Sequence, residues 1–161
     1  MLRVSLEDVR GLEGVDQNIH PLVLYDGVCG LCNRLVQFIL KRDRRGIFLF
    51  ASLQSGLAHS ILKAHGEDPS SLDTFYVVVD FDPARSDGNS EQLLARSDAA
   101  RFVLQQLGGI WRGLAWASLI APRPVREWMY GAVARNRYRM FGRYDACPVP
   151  SAETRKRFLD L

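Results

Sequence analysis

Between Val23 and Leu40 the chain reads VLYDGVCGLCNRLVQFIL, and few backbone arrangements accommodate that stretch. An apolar run stops at Asp26-Gly27, a turn pair. Beyond it Cys32, Leu35, Val36, Ile39 and Leu40 recur at i, i+3, i+4, i+7 and i+8, the spacing of one apolar helix face. The segment therefore predicts a buried strand, a short loop carrying Cys29, and a helix with Cys32 in its first turn. A CxxC pair in that setting is a reversible dithiol. The attacking species is the thiolate, and a free cysteine with a pKa of ~8.5 is mostly protonated at neutral pH. Unpaired backbone N–H groups and the positive end of the dipole at a helix N-terminus both favour the thiolate. The pattern assigns Cys29, expected to be exposed, the attack on a substrate disulfide. Cys32, on the apolar face and expected to be the more buried thiol, resolves the mixed disulfide.

Asp26 has two readings. Its carboxylate can take the proton from Cys32 as that thiol becomes a nucleophile, which is general-base work. It can also shape the turn by accepting loop N–H bonds. Both can hold, although a carboxylate beside Cys29 opposes the thiolate. The candidate substrate-contacting positions are Gly27, Val28, Gly30 and Leu31 in the loop, with Asp73 and Thr74 before the third strand. A structural zinc site is the alternative use of the CxxC. It needs two further ligands from Cys147, His20, His59 or His65, none of which falls in a second CxxC or HxxxH cluster. No metal and no cofactor is expected.

The remaining elements follow in a telling order. Leu22 to Tyr25 and Ile47 to Ala51 are short apolar runs on either side of the first helix, a βαβ unit with parallel strands. Ser52 or Ser55 caps a second helix that stops at His65-Gly66. Thr74 to Val79, rich in β-branched and aromatic residues, is a third strand. Turn chemistry from Asp82 to Ser90 returns the chain along Glu91 to Ala95 as a hairpin. A third helix, capped by Ser97 or Asp98, closes at Gly108-Gly109. The order βαβ, helix, ββα is that of a thioredoxin-like α/β core, a four-stranded mixed sheet flanked by helices. We divide the chain into an arm at residues 1–20, this core at 21–109, and a helical extension at 110–161 packed on the same domain. The extension comprises a core helix from Ile110 to Ala121, a helix from Val125 to about Arg137, and a short helix after Ser151.

DGVCGLCN after a strand resembles the DCC family of predicted thiol-disulfide oxidoreductases, whose Asp-Cys-Cys pattern is here Asp26, Cys29 and Cys32. The blocks LQS at Leu53 to Ser55, RSDAA at Arg96 to Ala100 and ARNRYRMFGRYDACPVP at Ala134 to Pro150 resemble that family too, so the likeness runs from Leu22 to Phe158. It implies a thioredoxin-like fold and a dithiol activity on a protein or small-molecule disulfide. It names neither substrate nor electron donor. Two departures from ordinary thioredoxins stand out. No proline precedes the third strand, where Leu72-Asp73-Thr74 stands, and position 31 is Leu rather than Pro.

Bulk properties bound the rest. The chain has 161 residues, 47% hydrophobic and 24% charged, which suits one compact domain with an ordinary core. No run approaches the ~18 consecutive apolar residues of a membrane span. The N-terminus lacks the pattern of a secretory signal and is too acidic for a transit peptide. With three cysteines only, a cytoplasmic, reducing compartment is expected rather than a disulfide scaffold. From Ala121 onward nine Lys/Arg face four acids, and RNRYRMFGRY interleaves arginine with aromatics. That pattern can bind single-stranded nucleic acid or an acidic partner, which makes a binding module the competing function. The preferred reading is a helix packed by its aromatics with its arginines solvated. Cys147, before Pro148, reads as a small buried hydrophobe rather than a third redox thiol.

Overall fold

The computed structural model describes residues 19–70, 72, 74–83, 92–145, 152 and 154–159. At its centre is strand β1 (His20–Tyr25). It pairs in parallel with β2 (Leu49–Ser52), Leu22 opposite Leu49, and antiparallel with β3 (Tyr76–Phe81), Leu24 opposite Tyr76. β4 (Leu93–Ala95) lies antiparallel to β3, and β5 (Phe158–Leu159) runs parallel to β2. The sheet order is β4-β3-β1-β2-β5.

The two-residue period of β1 splits the core in two. Leu22 and Leu24 join Leu57, Ile61 and Leu62 of helix α2 (Gly56–Ala64) on one side of the sheet. Val23 and Tyr25 join Val36 and Ile39 of α1 (Gly30–Arg42), and Ala99 and Val103 of α3 (Arg96–Leu107), on the other. Both cysteines of the CxxC belong to this second layer. The βαβ unit, the second helix and the ββα return stand in the order read from the sequence, and the architecture is thioredoxin-like.

Four expectations need correction. Among the described residues the sheet has five strands rather than four, because the short helix expected after Ser151 is followed by a further strand. That helix is a single 3-10 turn at Arg155–Arg157, and the chain then forms β5. Phe158 stacks on Phe50 with ring centroids 5.1 Å apart. Arg157 forms an ion pair with the buried Asp43 and donates its Nε–H to Phe48 O at 3.0 Å, which fixes the strand at the sheet edge. Secondly, Ser55 caps α2 by accepting the Ala58 N–H at 3.2 Å, but α3 has no side-chain cap. Ser97 and Asp98 instead reach across to α5 (Arg123–Phe141), Ser97 to Glu127 and Asp98 to Arg123 and Arg126. Thirdly, Ile110 to Ala121 is not a core helix. α4 (Gly109–Ala117) buries only Ala115, and Ile110, Leu114 and Trp116 are exposed. Fourthly, α5 runs well past Arg137, to Phe141, and carries one arginine into the interior.

Candidate active site

The end of β1 delivers the chain to the site. Cys29 is the N-cap residue of α1, in extended conformation, and its Sγ accepts the backbone N–H of Cys32 at 3.4 Å. The thiol thus occupies the place an N-cap hydroxyl or carboxylate normally fills. Cys29 N–H donates to Asp26 O at 3.2 Å, and the Asn33 amide clamps the loop through Gly27 O at 2.7 Å and Cys29 O at 3.0 Å. Both thiols are free.

Contrary to expectation, Cys29 is the more buried of the two, with no exposed surface against 8% for Cys32. The cause lies far away in sequence. After Gly142, which turns the chain at a φ of +76°, the strand-like segment 142–144 runs antiparallel to the CxxC loop. Gly30 N–H donates to Gly142 O at 3.1 Å and Tyr144 N–H to Val28 O at 2.8 Å, so this strap closes over Cys29. Gly30 permits the approach: a Cβ there would lie 2.1 Å from Phe141 O.

Asp26 is 1% exposed, and four donors surround its carboxylate. Oδ1 accepts Val28 N–H at 3.1 Å and the Gln54 amide at 2.8 Å. Oδ2 accepts the Arg137 guanidinium at 3.1 Å and the Tyr138 hydroxyl. The arginine side chain is 4% exposed and the carboxylate fully covered. Gln54 completes the clamp by accepting Gly27 N–H at 3.1 Å. A third α5 side chain faces the same region: Tyr130 Oη accepts Phe75 N–H, beside Thr74, at 2.8 Å.

Burial, reinforced by the negative charge and hydrogen bond of Cys29, pushes the Cys32 thiol up to about 12, while Arg137 pulls the other way. Burial first, and the hydrogen bond to Asp26 second, raise Tyr138 to about 12. Burial likewise takes Tyr130 to about 12. Arg137 is desolvated, yet attraction to Cys32, Tyr138 and Cys29 holds its pKa above the usual value. A buried cation, paired with Asp26, therefore stands within electrostatic reach of both thiols.

The structure brings Asp26, Cys29 and Cys32 together with Gly27, Val28, Gly30 and Leu31 around one loop. Gly27, Gly30 and Thr74 are buried, whereas Val28 and Leu31 reach the surface. Asp73 and Cys147 lie outside the described residues. Among those residues no three His, Cys, Asp or Glu side chains gather as a metal-holding group, and His20 and His65 each direct Nδ1 to a backbone carbonyl. Sequence reasoning missed Gln54, Tyr130, Arg137 and Tyr138. It expected a solvated arginine where Arg137 is buried. The helical phase of α5 held the signal: Tyr130, Arg137 and Tyr138 share the side opposite Val125, Trp128 and Met129.

A CxxC pair capping the first helix at the end of a central strand, in a β4-β3-β1-β2 sheet, defines a thioredoxin-like dithiol domain. The DCC1-like thiol-disulfide oxidoreductase family model matches residues 23–143, and the chain belongs to that family. The matched stretch includes Asp26, both cysteines, Gln54, Arg137 and Tyr138. YuxK of Bacillus subtilis (strain 168), described as an uncharacterized protein, is 41% identical over 144 residues, 89% of this chain and 97% of its own length. A chloroplastic DCC family protein of Arabidopsis thaliana is 31% identical over 134 residues, 83% of this chain and 72% of its own. No solved structure matches the chain significantly.

Proposed function

We propose that this protein exchanges disulfides through Cys29 and Cys32, with a protein or small-molecule disulfide as substrate. The observation that carries the reading is the Cys29 thiol at the N-cap of α1, accepting the Cys32 amide beside a buried guanidinium. Cys29 thiolate attacks one sulfur of the substrate disulfide, forming a Cys29–substrate bond and expelling the other sulfur as thiolate. Cys32 then loses its proton and attacks Cys29. The Cys29–Cys32 disulfide forms and the second substrate thiolate leaves. Two electrons pass to the substrate, and a thiol donor returns them to the protein.

The charges follow the same sequence. While Cys29 is a thiolate its charge helps keep Cys32 protonated, which prevents two anions from sharing the site. In the mixed disulfide that charge is gone and Arg137 still pulls the Cys32 pKa down, so the resolving thiol is released when it is needed. Asp26 is the positioning residue in this scheme. Its carboxylate orients Arg137 and, through Val28 N–H and Gln54, the loop that carries Cys29. Substrate enters past Val28 and Leu31 as the strap lifts. We place the reaction in a reducing, cytoplasmic setting because the chain uses cysteine sparingly. Among the described residues no helix is long and apolar enough to cross a membrane.

The test is a dithiol-dependent reduction of a model disulfide such as insulin. Wild-type protein turns over, Cys29→Ser abolishes the reaction, and Cys32→Ser stalls as a mixed disulfide visible by non-reducing mass spectrometry. Turnover that survives Cys29→Ser would refute the assignment.

A further inference from the structure

The face that the fold leaves bare points to a second property, independent of the dithiol. On α5, Val125, Trp128, Met129 and Val133 recur at i, i+3, i+4 and i+8 and are exposed, Trp128 at 70%. Met140 continues the stripe. Where α4 meets α5, at Ala121-Pro122, Ile120 projects with 86% of its surface free. Scattered exposed apolar residues are ordinary on a protein surface, but a helix-long stripe of them is not.

The charges beside the stripe decide what can cover it. Between Gly109 and Phe141 there are six arginines and one acid, Glu127. That acid is turned inward to Ser97 and Arg96. Arg137 is buried against Asp26, but Arg135 and Arg139 lie on the outward side of α5 with the stripe, and Arg112 is exposed on α4. A second copy of this chain would set the same cations against themselves. A neutral apolar partner would leave them without counter-charge. An anionic phospholipid surface satisfies both halves of the pattern: tryptophan and aliphatic side chains enter the acyl boundary while arginines pair with headgroup phosphates. We infer that the outer face of α5 and the Ile120 corner dock this protein on an anionic lipid bilayer, lying on it without crossing it.

Vesicle co-sedimentation of the full chain tests this, comparing phosphatidylcholine vesicles with and without phosphatidylglycerol. The expected result is binding to the anionic vesicles only, weakened by salt, with a blue shift of tryptophan emission. Ile120→Asp should lower the affinity roughly tenfold or more, because it exchanges apolar burial for a charge. Arg135→Gln and Arg139→Gln should each lower it about fivefold. Ile120→Asp should leave disulfide exchange in solution unchanged. Failure to bind anionic vesicles would overturn the inference. So would equal binding to both vesicle types, or a stable dimer that Ile120→Asp dissociates.

Discussion

Arg137 reaches Asp26 from α5, one hundred and eleven residues away in sequence, and the proposed chemistry turns on it. A guanidinium with 4% exposure beside a fully covered carboxylate is costly to strand. Arg137→Met should therefore lower unfolding free energy by ~3–5 kcal/mol, as removal of one partner of a buried pair does. The double variant Arg137→Met/Asp26→Asn should recover part of that loss, because no charge is left unpaired. The kinetic effect is separable. Arg137 lowers the Cys32 pKa against the burial that raises it, so its removal raises that pKa further. The rise of the resolving step with pH should then shift to more alkaline pH in single-turnover thiol release. An unshifted profile would reduce Arg137 to a structural role. Composition could not single this residue out. In RNRYR three arginines alternate with other residues, and only the phase of α5, set by its packing against α1 and α3, selects the middle one. Cys29 and Cys32, by contrast, were legible because strand, turn and helix signals bracket them within eighteen residues.

At the scale of elements, the decisive contact joins the N-terminus of α1 to the strap beyond α5. Backbone bonds from Gly30 to Gly142 and from Tyr144 to Val28 hold the strap over Cys29, so access to the thiol is coupled to their breaking. Gly30→Ala forces the issue, since its Cβ would collide with Phe141 O at 2.1 Å. The variant should lose ~1–3 kcal/mol of stability, the usual cost of overpacking, and its Cys29 should alkylate faster with iodoacetamide. Slower or unchanged alkylation would mean that the strap does not limit access. The elements themselves were legible where periodicity is long: α1 and β3 stand close to their expected bounds. Signals failed where partners decide. Ser97 and Asp98 look like caps but serve α5. β5 has two residues, too short for any period, and follows Arg155-Lys156-Arg157, which reads equally well as a helix end. α4 has the composition of a core helix and lacks a core to enter.

In the whole molecule, the C-terminal third closes the fold twice, through α5 at Asp26 and through β5 at the sheet edge. Element order alone was enough to read the thioredoxin-like sheet, because parallel β1–β2 and antiparallel β3–β4 follow from the connections. The return of the C-terminal third onto the active end is carried by Arg137–Asp26 and Arg157–Asp43, pairs separated by more than a hundred residues that no local pattern joins. Those pairs also bear on the competing use of the basic segment: Arg137 is spent on the interior and is not available to a nucleic-acid phosphate. The central claim, that Cys29 and Cys32 interconvert as one dithiol, is tested most directly by equilibrating the full chain in glutathione redox buffers and mapping its cysteines by peptide mass spectrometry. The account predicts a single intramolecular Cys29–Cys32 disulfide that forms and reopens as the buffer changes. Thiols that remain separately alkylatable at every potential, or a bridge from either one to Cys147, would contradict it.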